Sequence, residues 1–231
     1  MSTQPDARRV AELYARPLLI FDLDGTLIDT IVDLTVALNL ALYDHRLPAI
    51  GRDLVRSSLH GGLEASAQAA LRAAGASLDR YPAVVESYKA HYRAVSGKFS
   101  RPYRTVSSTL FSLHSRGARL AVCSNKAEAE ARELLERKGL DGFFEVVVGA
   151  DSFKARKPDP EPLLGAIARL GGTASDAVFT GDSQVDVDCA RAAGVDCVFF
   201  NGGYGDCAQP VGARFSTWPE IAIALQESCP T

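Results

Sequence analysis

The sequence predicts an α/β protein: a Rossmann-like parallel sheet with helices on both faces and an inserted α-helical cap. Three observations lead there. Leu18-Leu19-Ile20-Phe21 is an unbroken apolar run, the pattern of a short strand buried on both faces. From Thr30 to about Gly97 apolar residues recur at helical spacing and no strand pattern appears. After Gly97 strands and helices alternate, which implies a parallel sheet. The helical block is therefore an insertion directly after the first strand. The expected division is a core of residues 1–30 and 98–231 and a cap of residues 31–97.

Taken in order, Met1 to Pro17 reads as a mobile or weakly helical lead-in. The first strand follows and ends abruptly in Asp22-Leu23-Asp24-Gly25-Thr26. Gly51, Gly61-Gly62, Gly75 and Pro82 punctuate the helical block into about four helices. A helix from about Thr105 to Ser115 stops at Gly117, and Arg119 to Cys123 is the next strand. Ser124-Asn125-Lys126 then leads into a helix that runs to Lys138 and stops at Gly139. Phe143 to Val148 is a third strand, and Lys157-Pro158-Asp159-Pro160 opens a helix that tolerates proline in its first turn. Ala177 to Thr180 is a fourth strand, ending in Gly181-Asp182-Ser183. A helix to Gly194, a fifth strand from Asp196 to Phe200, a Gly-rich loop and a closing helix from Trp218 to Leu225 complete the chain.

Composition narrows the partners. With 231 residues and a net charge of −3, the chain has no basic excess that would favour nucleic acid or an anionic membrane. No apolar run reaches membrane-spanning length, and the N-terminus lacks a signal-peptide pattern, so a cytoplasmic location is expected. The cysteines number five with no C-x-x-C pair, so they read as reduced thiols. A monomer or homodimer is expected.

The polar residues at the strand ends carry the chemistry. Parallel strands place their carboxyl ends on one edge of a sheet, where α/β proteins bind ligands. Asp22, Asp24, Ser124, Asn125, Asp182, Ser183 and Asp186 can converge there, with Lys157 just before a helix. Clustered carboxylates repel unless a cation sits between them, and oxygen-only ligands favour Mg²⁺. Lysine, hydroxyl and backbone N–H groups at a helix start suit a phosphate. Singly, Ser124 and Ser183 read as helix caps, Lys157 as a surface lysine and Asp186 as a helix-surface residue. Their joint placement favours a site.

In order and spacing, Asp22-Leu23-Asp24-Gly25-Thr26, Ser124-Asn125, Lys157-Pro158-Asp159-Pro160 and Gly181-Asp182-Ser183-x-x-Asp186 resemble the four signature motifs of the haloacid dehalogenase superfamily. The helical insertion resembles that family's cap. Within the superfamily, Asp22 to Asp29, Arg101-Pro102-Tyr103, Gly149 to Ser152, Arg156 to Pro160, Gly181 to Asp186 and Ala192-Ala193-Gly194 are most similar to phosphoglycolate phosphatases. Such a resemblance implies a Mg²⁺-dependent phosphatase acting on a small organic phosphate monoester, with 2-phosphoglycolate the expected substrate.

It also implies roles. Asp22 is the nucleophile that forms an aspartyl-phosphate, and Asp24 is the general acid and then the base. Asp22, Asp182 and the Asp24 carbonyl ligate the metal. Ser124, Asn125 and Lys157 hold the phosphoryl oxygens, while Asp186 and Ser183 lie behind them and Asp186 orients Lys157 or a metal-bound water. In the cap, His60 and Gly61 are the candidate substrate contacts. A phosphohexose mutase of the same superfamily, passing the phosphoryl group to a sugar, and a non-catalytic binding or regulatory protein with the same fold are the alternatives.

Overall fold

The computed structural model describes residues 6–59 and 62–227. Two compact units emerge: Met1–Ile28 with Pro102–Thr231, and Asp29–Arg101. The chain passes between them through two short strands, β2 (Ile28–Asp29) and β3 (Arg101–Pro102).

The first unit is built on six parallel strands. They are β1 (Leu18–Phe21), β4 (Arg119–Cys123), β5 (Val146–Val148), β6 (Ala177–Gly181), β7 (Asp196–Phe200) and β8 (Ala213–Phe215). Their spatial order is β5-β4-β1-β6-β7-β8. β1 is thus central, with Phe21 level with Val122 of β4 on one side and Thr180 of β6 on the other. All four of its side chains are buried, which explains the absence of alternation in the run.

Successive β1 residues point to opposite faces and fill two different layers. Leu19 and Phe21 pack with α1 (Ala7–Leu13), α6 (Val106–Ser115), α7 (Glu128–Arg137) and α10 (Trp218–Glu227). Leu18 and Ile20 pack with α8 (Glu161–Arg169) and α9 (Gln184–Ala193). An aromatic group of Phe21, Phe200, Phe215 and Trp218 anchors the first layer.

Of the mobile or weakly helical lead-in that was expected, the helical reading fits, but α1 is firmly built: Asp6 accepts from the Arg9 amide at 3.0 Å, and Val10, Leu13 and Tyr14 are buried. The Asp6 N–H also donates to the Arg214 carbonyl of β8 at 2.7 Å. The sheet likewise gains β8, a sixth strand beyond the five expected, because only three residues pair there.

The second unit contains α2 (Ile31–Asp44), α3 (Arg52–Ser58), α4 (Gly62–Ala73) and α5 (Tyr81–Val95). α2 and α5 pack along each other, with Leu34, Leu38, Ala41, Val84, Tyr88 and Tyr92 buried. Asp33, fully buried on α2, accepts from the amides of Gly97, Phe99 and Ser100 and from the Ser100 hydroxyl. His60 and Gly61 lie outside the described residues. No described helix is long and apolar enough to cross a membrane.

Candidate active site

Strand order explains why residues far apart in sequence meet. β1, β4 and β6 are adjacent and parallel, so Asp22, Ser124 and Asp182 follow the ends of three neighbouring strands. The Asp22 N–H donates to the Thr180 carbonyl and the Ser124 N–H to the Val148 carbonyl, so both residues continue the ladder pattern. Their side chains emerge at the sheet's carboxyl edge.

Lys157 reaches this edge from the loop before α8. Its Nζ lies 2.9 Å from Asp22 Oδ1 and 2.6 Å from Asp186 Oδ1. The lysine is 4 % exposed and Asp186 is 1 % exposed, so both ion pairs are shielded from water. Asp186 belongs to a capping box at the start of α9: its Oδ2 accepts from the Ser183 N–H and hydroxyl, and Ser183 Oγ accepts from the Asp186 N–H. The cap therefore fixes the carboxylate that fixes the lysine.

Among the described residues, Asp182 is held by neutral donors only. Thr26 Oγ1 donates to its Oδ1 at 2.8 Å, and the Tyr204 N–H donates to its Oδ2 at 2.7 Å. Close approach depends on two glycines. A Cβ on Gly25 would stand 2.5 Å from Asp182 Oδ2, and one on Gly203 would stand 2.3 Å from Asp182 Cβ. Gly25 also has φ +87°, a conformation that other L residues rarely adopt. The carboxylate is thus packed between two glycine backbones.

Carboxylate oxygens of Asp22, Asp182 and Asp186 lie within 4.8 Å of one another. One ammonium cannot neutralise three carboxylates. Burial pushes the Asp22 carboxyl up to about 6; Lys157 opposes the rise and Asp186 and Asp24 reinforce it. Asp182 is driven well above the usual carboxylate range by burial, then by Asp22 and Asp186. Burial acts to lower Lys157, but Asp186 and Asp22 outweigh it and hold its ammonium well above the ordinary lysine value. An all-oxygen, electron-rich set of this kind fits a hard divalent cation. Asp22 and Asp186 share the one Lys157 ammonium, whereas Asp182 has no cationic partner among the described residues, so the excess negative charge centres on Asp182 beside Asp22.

The remaining expected residues fall as follows. Asp24 Oδ2 pairs with Lys126 Nζ at 2.8 Å. Ser124 Oγ accepts from the Lys126 N–H at 3.3 Å. Asn125 Nδ2 donates to the Lys157 carbonyl at 2.9 Å, bracing the lysine's backbone, and Asn125 Oδ1 is buried without a hydrogen-bond partner among the described residues. Sequence reasoning assigned no part to Lys126 or Tyr204, and took Thr26 only as a mark of kinship. The signals were thin: a lysine beside Ser-Asn, and an amide that any residue at 204 would supply.

A parallel sheet with acids and a buried lysine at its carboxyl edge belongs to the α/β enzymes that bind ligands there. Residues 19–200 match the family of haloacid dehalogenase-like hydrolases. A phosphoglycolate phosphatase of Caulobacter vibrioides is 40% identical over 220 residues, spanning 92% of this chain and 93% of its own. One from Mesorhizobium japonicum is 39% identical over 195 residues, spanning 83% and 86%. The crystal structure of a predicted phosphoglycolate phosphatase from Haemophilus somnus superposes with a TM-score of 0.82 at 28% identity, covering 92% of this chain and 98% of that one. The chain belongs to the haloacid dehalogenase-like hydrolases.

Proposed function

We propose that this phosphoric monoester hydrolase acts on a small organic phosphate, 2-phosphoglycolate first, through a phosphoryl group carried on Asp22 and with Mg²⁺ bound. One observation carries the reading: a buried carboxylate, Asp22, stands at the end of the central strand with Lys157 Nζ 2.9 Å away and Asp182 close by. The substrate named follows what the relatives are called.

Asp22, Asp182 and the Asp24 main-chain carbonyl would hold the metal. When bound, it supplies positive charge that lets an anionic carboxylate approach an anionic phosphate. Asp22 attacks phosphorus, and the bond from phosphorus to the ester oxygen breaks as the acyl phosphate forms. Asp24 gives its proton to the leaving alkoxide. It then takes a proton from water, which attacks phosphorus and breaks the bond to Asp22, releasing inorganic phosphate. Lys157 and the Ser124 hydroxyl neutralise and orient the phosphoryl oxygens, and Asn125 braces Lys157 from behind. Asp186 keeps the ammonium in place. Phosphoryl transfer asks chiefly for positioning and charge neutralisation, and this set offers both.

Residues 31–97 are proposed to govern substrate choice through the segment 60–64. A cytoplasmic location is proposed as well, in keeping with four described cysteines that are free and buried. The test is release of inorganic phosphate from a panel of small phosphate monoesters, with Mg²⁺ and with a chelator, for the native chain and for Asp22→Asn. Turnover should require Mg²⁺ and vanish in the folded variant. Comparable turnover in Asp22→Asn would remove Asp22 as nucleophile.

A further inference from the structure

Asp24 is gripped at one oxygen and, among the described residues, unpartnered at the other. Lys126 Nζ lies 2.8 Å from Asp24 Oδ2, and the lysine side chain is only 5 % exposed. Asp24 Oδ1 is shut off from solvent, yet no hydrogen-bond partner reaches it among the described residues. A buried carboxylate oxygen left without a donor is unfavourable, and in native proteins it usually marks a place where something else completes the contact.

The ammonium is delivered from a clamped backbone. The Lys126 N–H donates to Ser124 Oγ at 3.3 Å, and its carbonyl accepts from the Ala150 N–H at 2.9 Å. Lys126 is therefore tied both to the end of β4 and to the loop after β5. The two buried lysines serve different carboxylates: Lys157 takes Asp22 and Asp186, and Lys126 takes Asp24.

A carboxyl group that trades a proton with a departing oxygen needs one oxygen fixed and the other clear. Held at both, it has no oxygen to offer. Held at neither, it spreads over several rotamers and loses the alignment on which proton transfer depends. We propose that Lys126 is a positioning residue: by holding Asp24 at Oδ2 it presents Oδ1 to the leaving alkoxide and then to the attacking water. The inference rests on the role of Asp24 given above.

Leaving-group dependence tests it, because a phenolate with a low pKa departs without a proton and an alkoxide does not. Lys126→Met keeps the length of the side chain and removes the charge; Lys126→Arg keeps a cation. Thermal melting checks that both are folded. For Lys126→Met, kcat/KM, which reports the ester-cleaving step alone, should fall about 30-fold or more on an alkyl phosphate, within the range general acid–base catalysis supplies, while kcat/KM on p-nitrophenyl phosphate changes by less than about 3-fold. Lys126→Arg should restore part of the alkyl rate. Asp24→Asn should show the same alkyl-selective loss, and adding Lys126→Met to it should cost little more.

An equal loss of kcat/KM on both esters would overturn the proposal, as would a rise in KM with the alkyl-to-aryl ratio of kcat/KM unchanged. The second result would make Lys126 a contact to the substrate's own anion. If Asp24→Asn itself shows no alkyl selectivity, the proton-transfer role of Asp24 fails first, independently of any change at Lys126, and the positioning role falls with it.

Discussion

Asp22, Asp182 and Asp186 crowd three carboxyl groups around a single ammonium, and the excess of negative charge sets their titration. In the metal-free native state Asp22 keeps its proton up to about pH 6, whereas the unfolded chain releases it near 3.8. Between those values the native state binds more protons, so this group's contribution to stability declines as pH rises from about 4 to 6. Asp22→Asn removes that decline. With a chelator present, the variant's melting temperature should gain on the native protein's across this window, and parallel profiles would contradict the shift. Lys157, held above the ordinary lysine value, contributes stability that is intact below its unfolded value of 10.5 and lost at more alkaline pH. Metal binding must displace the acid protons. Calorimetric titration should therefore find Mg²⁺ affinity weakening as pH falls through about 6.

At the scale of elements, what the sequence revealed depended on whether the signal was local. β1, β4 and β7 are apolar runs with clear stops, and they begin and end where the pattern says. β6 is one residue longer than read, and β5 is shorter, because a 3₁₀ turn at Asp141–Phe143 takes the first residue of the expected run. β8 was not legible, and α1 only as a weak helix, without its place in the core. Ala213-Arg214-Phe215 has no periodicity to detect, and α1 packs against β8 and α10, 200 or more residues away. α7 was legible, but not what caps it: its own N-cap residue, Ala127, makes no side-chain cap. Asp151 accepts from the Glu128 amide at 2.7 Å and does the capping from another loop. Leu13 tests the status of α1. It is 3 % exposed within the first layer, and Leu13→Ala should cost about 2–5 kcal/mol in chemical denaturation, as for other buried leucines. A loss under about 0.5 kcal/mol, the range of surface changes, would mean that α1 is not part of the core.

At the scale of the molecule, the chain folds as two units. The described chemistry belongs to the unit formed by Met1–Ile28 and Pro102–Thr231, whose residues could be assigned because each motif sits at a strand end or helix start. In Asp29–Arg101 the spacing revealed the helices, but a substrate contact of the kind proposed there would carry no periodic signature. Replacing residues 60–64 should change the ranking of phosphate esters while leaving Mg²⁺ dependence intact; an unchanged ranking would place selectivity elsewhere.

One bond in the core has a practical use. Trp218 is the chain's single tryptophan, and its indole N–H donates to the Thr26 carbonyl at 2.9 Å, while the Thr26 hydroxyl donates to Asp182. The protein thus carries a native fluorophore wired by two hydrogen bonds to one of its acids. Adding Mg²⁺ to the unlabelled protein should shift the intensity of the indole emission, and a saturating titration would report occupancy without any turnover.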